Sequence, residues 1–336
     1  MLLLDIPAIK SMISTTGLEP FILKLITQLE KDFINWDQFY KTPRHASHYD
    51  HGVIELMPCS DDTFYSFKYV NGHPKNTHEG KLCVAAMGLL ADVDSGYPLM
   101  ISEMTLLTAI RTAAVAALGA KYLARQNSSR LAIIGAGAQS EFQAMAMKAV
   151  LPIESIKIYD PDSKAMEKFT QNVSAEFNNI TSCDSVASTV SDADIIVTAT
   201  ATKKSVCLFT EHDIRPGTHI HAMGGDCPGK TELGIELLKQ AKLVVEYTEQ
   251  SMIEGEIQQL DEHSIYAELW QILNKTKPGR QNEQEITIFD SVGFALEDFS
   301  TLKMIYHEAD KLKLGTHIDL VPDLQNPKNL YGLLNS

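Results

Sequence analysis

A chain of 336 residues with 44% hydrophobic and 21% charged content carries enough apolar mass for a large core and is long enough for two domains. Its formal net charge of −14 argues against the basic face that a nucleic-acid backbone requires, and no low-complexity tract or long like-charge run marks disorder. The opening Met1-Leu2-Leu3-Leu4-Asp5 turns acidic too soon for a secretory signal, no stretch approaches the roughly 18 apolar residues that span a bilayer, and the scattered Cys59, Cys83, Cys183, Cys207 and Cys227 form no CxxC pair. These features set the expectation of a cytoplasmic protein with reduced thiols, no metal site and neither a nucleic-acid nor a membrane partner.

Residues 1–35 read as mainly helical. From Gly52 to Met104 the pattern changes to short alternating runs: Val53 to Met57, Thr63 to Val70, Val84 to Val93 and Leu99 to Met104. Asn71-Gly72-His73-Pro74 and Asp94-Ser95-Gly96-Tyr97-Pro98 supply the turn residues that strand reversals need, so an antiparallel sheet is predicted. Thr105 to Arg125 reads as one long Ala- and Leu-rich helix, stopped by Asn127-Ser128-Ser129. Six short Val- and Ile-rich runs then alternate with helical stretches, at Leu131 to Ile134, Ser155 to Tyr159, Ile195 to Ala199, His219 to Met223, Leu243 to Glu246 and Ile286 to Phe289. That alternation predicts a parallel sheet covered on both faces. Ala295 to Leu314 closes as an amphipathic helix, with Phe299, Leu302, Ile305 and Tyr306 on one face.

The sharpest local motif is Gly135-Ala136-Gly137-Ala138-Gln139-Ser140 at the end of the first of these runs. Gly135 permits a tight turn, Gly137 has no side chain to block a pyrophosphate, and the next helix offers free N–H groups at its start. Ser140 stands where the third glycine of a dinucleotide fingerprint falls, and it is still small. Asp160, closing the following strand, is placed to accept from adenosine ribose hydroxyls and to repel a 2′-phosphate, which favours NAD over NADP. A turn or cap residue beside Pro161 is the alternative reading of Asp160. Thr198-Ala199-Thr200 follows another strand, where loops lining a cofactor cleft lie.

Met223-Gly224-Gly225-Asp226-Cys227-Pro228-Gly229-Lys230-Thr231-Glu232 continues from a strand, so its paired glycines let backbone approach a ligand and put Asp226 at the mouth of the sheet crevice. A carboxylate there can bind an ammonium group and shuttle protons; a simple turn cap beside Pro228 fits the local sequence equally. Gly229-Lys230-Thr231 lacks the upstream glycine spacing of a P-loop. Arg44, Lys68 and Arg111 are the basic candidates for a substrate carboxylate. Arg111 enters an apolar helix, where a charge needs an anionic partner. Alternation sets Lys68 with Ser66 and Val70, opposite Phe67 and Tyr69, and a solvated strand lysine is the commoner outcome there.

At this point the chain resembles a known family. Lys68 to Asn76 (KYVNGHPKN), Ala91 to Pro98 (ADVDSGYP), Thr105 to Ala114 (TLLTAIRTAA), Gly135 to Phe142 (GAGAQSEF), Gly224 to Leu233 (GGDCPGKTEL), Glu254 to Leu260 (EGEIQQL) and Asp290 to Phe299 (DSVGFALEDF) are similar to the ornithine cyclodeaminase/mu-crystallin family. GGDCPGKTEL and EGEIQQL resemble its bacterial cyclodeaminase branch more than its imine reductases and alanine dehydrogenases. The resemblance implies an α/β fold in which a Rossmann-type parallel sheet domain, residues 113–309, joins a smaller α+β substrate-binding and dimerisation domain, residues 1–112 with 310–336. It implies a homodimer that turns L-ornithine into L-proline and ammonia by redox-neutral hydride transfer through NAD. Arg44, Lys68 and Arg111 would hold the α-carboxylate, Asp226 would act as acid and base, Val292 would line the pocket, and Glu55 would be a second carboxylate there. NAD would meet Arg111, Gly135, Gly137, Ala138, Gln139, Asp160, Thr200, Met223, Gly224, Gly225, Asp226, Lys230 and Ser291. A threonine is expected near Cys83 in the same role, and a thiol is a poorer hydrogen-bond partner. An amino-acid dehydrogenase, a ketimine reductase, a lysine cyclodeaminase and a non-catalytic small-ligand binder remain the alternatives.

Overall fold

The computed structural model describes residues 1–202 and 204–335. The first unit runs through strand β1 (Leu2–Leu4), helices α1 (Ile6–Thr16) and α2 (Leu18–Ile34), strands β2 (Tyr40–Lys41), β3 (His45–Tyr49), β4 (Gly52–Ser60), β5 (Phe64–Gly72), β6 (Ala86–Asp92) and β7 (Pro98–Glu103), and helix α3 (Thr105–Leu123). The second runs through β8 (Arg130–Ile134), α4 (Ser140–Val150), β9 (Ser155–Tyr159), α5 (Ser163–Val173), β10 (Ile180–Ser182), α6 (Val186–Val190), β11 (Ile195–Thr198), β12 (His219–Ala222), α7 (Ile235–Gln240), β13 (Lys242–Val245), α8 (Thr248–Glu254), β14 (Ala267–Glu268), α9 (Leu269–Leu273) and β15 (Thr287–Asp290). Helix α10 (Ala295–Leu312) and strand β16 (Thr316–His317) finish the chain.

Two sheets result, and they match the predicted α/β class. The first has the order β16-β1-β7-β6-β5-β4-β2, with β3 on β4, and is antiparallel except where β1 runs parallel to β7. The second is wholly parallel, in the order β10-β9-β8-β11-β12-β15-β13-β14. Its strand order reverses between β8 and β11, the place where a crevice opens at the carboxyl ends of such sheets. Strands β1 and β16 pair at the edge of the first sheet: Leu2 is in register with His317, and the Ile318 N–H donates to the Met1 carbonyl (2.9 Å).

Three differences from the sequence reading bear on the site. Lys68 is not a solvated strand lysine: it is buried together with Ser66 and Val70, on the face of β5 covered by α10. Helix α3 is long and apolar enough to cross a membrane, contrary to the expectation that no segment is, yet 72% of it is buried within the protein. Being apolar almost all round, it packs on every side, against α2, α4, β12 and β15, and Gly119 leaves room for the Phe289 ring. Third, α10 lies against β4, β5, β6 and α2. The chain therefore returns to the first unit between β15 and α10, upstream of the boundary expected at 309.

Candidate functional site

The loop after β8 begins at Gly135, whose φ of 105° suits glycine and whose added Cβ would lie 2.5 Å from the Ala199 carbonyl. Gly137 and Ala138 are exposed, and a Cβ at Gly137 would meet nothing within 4 Å, which leaves an open cradle over the start of α4. Ser140 earns the third position by its hydroxyl, which donates to the Gly137 carbonyl at 2.8 Å and ties the turn. The Asp160 carboxylate accepts the Ala136 N–H (2.8 Å) and the Asp162 N–H (2.8 Å), so the turn reading and the fingerprint reading describe one residue. Among the described residues Gln139 Oε1 is buried without a partner, and it can accept from a hydroxyl of a bound ligand. An open glycine cradle and unused helix N–H groups fit a dinucleotide pyrophosphate.

At the seam between the units, three cations from distant segments are buried among acids. Lys68 Nζ donates to Asp298 (2.9 Å). Arg111 reaches the same carboxylate through Nε (3.0 Å) and Glu297 through Nη1 (2.6 Å). Among the described residues no acceptor meets Arg111 Nη2, and Lys68 Nζ bonds only Asp298, so both keep donors for an incoming anion. Gly293, at φ 81°, makes room for Arg111: an added Cβ would lie 2.8 Å from Nη1. Burial and the neighbouring Arg111 pull the Lys68 ammonium down to about 8. Burial and Glu246 push the Glu297 carboxyl up, and Glu246 itself accepts from the Ser291 hydroxyl and the Gly293 N–H (2.8 Å).

Arg44 is engaged differently. Nη1 donates to both Glu55 oxygens (3.1 Å each), Nη2 donates to the Val292 and Gly293 carbonyls (2.6 Å each), and Nε faces Glu254 Oε2 at 3.1 Å. Both terminal nitrogens of the guanidinium are hydrogen-bonded, whereas Nε makes only the ion-pair contact with Glu254 and no hydrogen bond among the described residues. Burial, with repulsion from Glu55 and Asp226, pushes Glu254 up to about 7 against the pull of Arg44.

Asp226 is exposed at the crevice mouth, with Oδ1 3.0 Å from Lys230 Nζ, which also donates to the Thr200 carbonyl (3.0 Å). Met223 stands half-buried at the head of this loop. The paired glycines have a physical reason beyond ligand approach. An added Cβ at Gly224 would collide with the Glu232 carboxyl, and one at Gly225 would lie 2.7 Å from Glu256 Oε1. Cys83 sits half-buried on the loop before β6, its carbonyl accepting the His73 N–H (2.8 Å).

The structure thus brings the expected residues into three linked groups: Gly135, Gly137, Ala138, Gln139 and Asp160 at the glycine loop; Thr200, Gly224, Gly225, Asp226 and Lys230 at the crevice mouth; Arg44, Glu55, Lys68, Arg111, Ser291 and Val292 at the seam.

Comparison with known proteins places the chain in a family. The sequence profile of the ornithine cyclodeaminase/mu-crystallin family matches residues 8–313. The chain is 50% identical over 318 residues to an ornithine cyclodeaminase of Agrobacterium tumefaciens, covering 95% of this chain and 89% of that protein. It belongs to the ornithine cyclodeaminase/mu-crystallin family. An ornithine cyclodeaminase of Brucella melitensis is likewise 50% identical, over 95% of this chain and 89% of the relative. Among solved structures, a Thermococcus litoralis Δ1-pyrroline-2-carboxylate reductase in complex with NADH and L-proline superposes with a TM-score of 0.88 at 32% identity, covering 95% of this chain and all of that one. A lysine cyclodeaminase superposes with a TM-score of 0.93 at 26% identity, over 99% of both chains.

Within this family fold, the residues that sequence reasoning missed are all acids: Glu246, Glu254, Glu297 and Asp298 around the cations, and Glu232, Glu256 and Asp290 under the Asp226 loop. Glu297-Asp298 carried a usable signal, since two adjacent charges interrupt the otherwise apolar run Val292 to Phe299. The others carried none, because their partners, backbone N–H groups for most and the Arg44 guanidinium for Glu254, are remote in sequence.

Proposed function

We propose that this chain is an NAD-dependent ornithine cyclodeaminase, converting L-ornithine to L-proline and ammonia. The observation that carries the reading is half-identity over 95% of the chain to the Agrobacterium enzyme, in a site that keeps buried cations with unused donors beside a glycine cradle. NAD held over the 135–140 loop supplies a hydride acceptor that later returns the hydride, which makes the conversion redox-neutral. Lys68 and Arg111 hold the α-carboxylate, joined by Arg44. This fixes Cα in place, an orientation effect worth up to roughly 7–11 kcal/mol. Asp226, flanked by Lys230 and within the field of Arg44 and Glu254, takes a proton from a substrate amino group and returns one as ammonia leaves. The δ-amine attacks the α-carbon, the α-amino group departs, and the remaining five-membered ring is reduced to proline.

The test is to incubate the purified protein with L-ornithine and NAD⁺ while following proline, ammonia and NADH absorbance. Equal proline and ammonia with no lasting NADH is the expected result. Accumulating NADH would mean an ordinary dehydrogenase, and no turnover would mean a binding protein. Asp226→Asn is expected to bind NAD normally and to lose at least a hundredfold in kcat. Lysine is a second substrate to test, because the lysine cyclodeaminase shares this fold and one methylene alters binding by only about 1–3 kcal/mol.

The homodimer is part of the same proposal. The outer face of the first sheet aligns Leu56, Tyr69 and Met87 across three strands, with Leu56 and Met87 exposed, and Phe67, Leu89 and Ile101 in the neighbouring row. An apolar sheet face of this kind suits an interface between two copies. Met87→Lys is expected to shift the protein toward monomer in light scattering.

A further inference from the structure

The EGEIQQL segment contributes no atom to the reaction proposed above, yet it lies beneath the Asp226 loop. Starting from the end of β15, the Asp290 oxygens accept the N–H groups of Glu256 and Ile257 (3.0 Å each). The Glu256 oxygens accept the N–H groups of Glu232 (2.7 Å) and Leu233 (3.0 Å). Glu232 Oε1 then accepts the N–H of Thr200 (3.0 Å) and its hydroxyl. All three carboxyls are fully buried.

Each carboxyl also sits against a glycine. A Cβ at Gly255 would collide with Asp290, one at Gly225 would come 2.7 Å from Glu256, and one at Gly224 would collide with Glu232. From the other side, Gln258 accepts the Gly229 N–H (2.7 Å) and donates to the Lys230 carbonyl (3.0 Å).

We propose that Asp290, Glu256 and Glu232 form a ladder of positioning residues, which transfers the fixed height of β15 to the loop that carries Asp226 and Lys230 and to Thr200 on the loop after β11. Residues 223–230 are irregular and residues 256–259 form one turn of 3-10 helix, so backbone N–H groups here need acceptors other than strand partners. A carboxyl offers two acceptors in a fixed fork, and one side chain can therefore seize two consecutive N–H groups; an apolar side chain filling the same space could not. Burying three acids together is costly. Burial, with repulsion from Glu246, pushes Asp290 up to about 7; burial, with repulsion from Asp290 and Glu232, pushes Glu256 up to about 8; burial raises Glu232 as well. Positioning accounts for a cost that packing does not, because a misplacement of about 1 Å at a reacting group can lower turnover on the order of a hundredfold.

The role of the Asp226 loop rests on the cyclodeaminase reading, so the test has an arm that does not need turnover. In hydrogen exchange, Glu256→Asp is expected to lose protection at the amides of residues 232 and 233 while those of 256 and 257, held by Asp290, stay protected. Loss at both pairs, or at neither, overturns the ladder even if ornithine proves not to be the substrate. The kinetic arm uses Gly225→Ala, Glu256→Asp and the pair together, since shortening the acid makes room for the new methyl group. Each single variant is expected to lose at least tenfold in kcat per NAD-binding molecule, and the double variant to exceed Gly225→Ala alone. Losses that simply multiply contradict the proposal. Should those variants fold poorly, the half-buried Gln258→Ala is expected to lower kcat with little change in the KM for ornithine; a lowered melting temperature with unchanged kcat would mean packing alone.

Discussion

Lys68 and Asp298 meet at 2.9 Å across 230 residues of chain, each side chain about 1% exposed. The pair locks the first sheet to the helix that returns from the second, and Arg111 shares the same carboxylate. Lys68→Met is expected to lower kcat/KM for ornithine by about a hundredfold, the size of one charged hydrogen bond of roughly 3 kcal/mol. The loss of stability should fall below the ~3–5 kcal/mol typical of breaking a buried pair, because Arg111 still satisfies Asp298. Since the ammonium titrates at about 8, the KM for ornithine should rise as pH passes 8. Lys68→Arg, which stays charged, should abolish that rise; a KM profile identical in the two proteins would contradict the assignment.

Glu254 titrates at about 7 in the fold, so it gains a negative charge within the working range. Below pH 7 it is neutral, and the attraction of the site for a substrate with two ammonium groups weakens. Wild-type kcat/KM should therefore fall on the acid side with a midpoint near 7, and Glu254→Gln should remove that midpoint while lowering the plateau. An unchanged acid limb in the variant would exclude Glu254 as its source.

Asp160 braces the glycine loop through the Ala136 N–H and, in the proposed NAD site, is the acid expected to meet the adenosine ribose. Asp160→Ser removes a charge that repels a 2′-phosphate, so the ratio of NADP to NAD affinity should rise at least tenfold in a fluorescence titration. A preserved NAD preference would locate the discrimination elsewhere.

His221 lies wholly inside the parallel sheet with neither ring nitrogen bonded among the described residues, and burial pushes its pKa down to about 3. The unfolded chain takes up a proton near pH 6.5 that the native state refuses, so this residue costs stability progressively as pH falls below that value, by about 1.4 kcal/mol per pH unit. His221→Leu should gain in melting temperature over the wild type as pH drops from 7.5 to 5. A difference independent of pH would mean that the ring is protonated or solvated in the native state.

How far the sequence could be read follows from the range of the interactions. The six parallel strands, the long α3 and the glycine loop were legible because periodicity and turn residues act locally. The strands β10 and β14, only three and two residues long, give no period to detect. Lys68 looked like a solvated strand lysine because its covering helix and counterion lie more than two hundred positions away. The acid ladder was invisible for a related reason: a carboxylate that accepts backbone N–H groups leaves no trace in the identity of its partners. GGDCPGKTEL and EGEIQQL could each be seen as a motif, but not that one supports the other.

The pairing of β1 with both β7 and β16 has a consequence for synthesis. The parallel sheet is drawn from one continuous stretch of chain, Arg130 to Asp290, and can form while the ribosome is still adding the rest. The first sheet begins with residue 2 and is sealed only by Thr316–His317. Until α10 arrives, the inner face of β4–β6 and the cation Lys68 have no cover and no counterion from Asp298. The nascent chain therefore passes through a stage in which the parallel sheet has folded around its own core, while β4–β6 wait for α10.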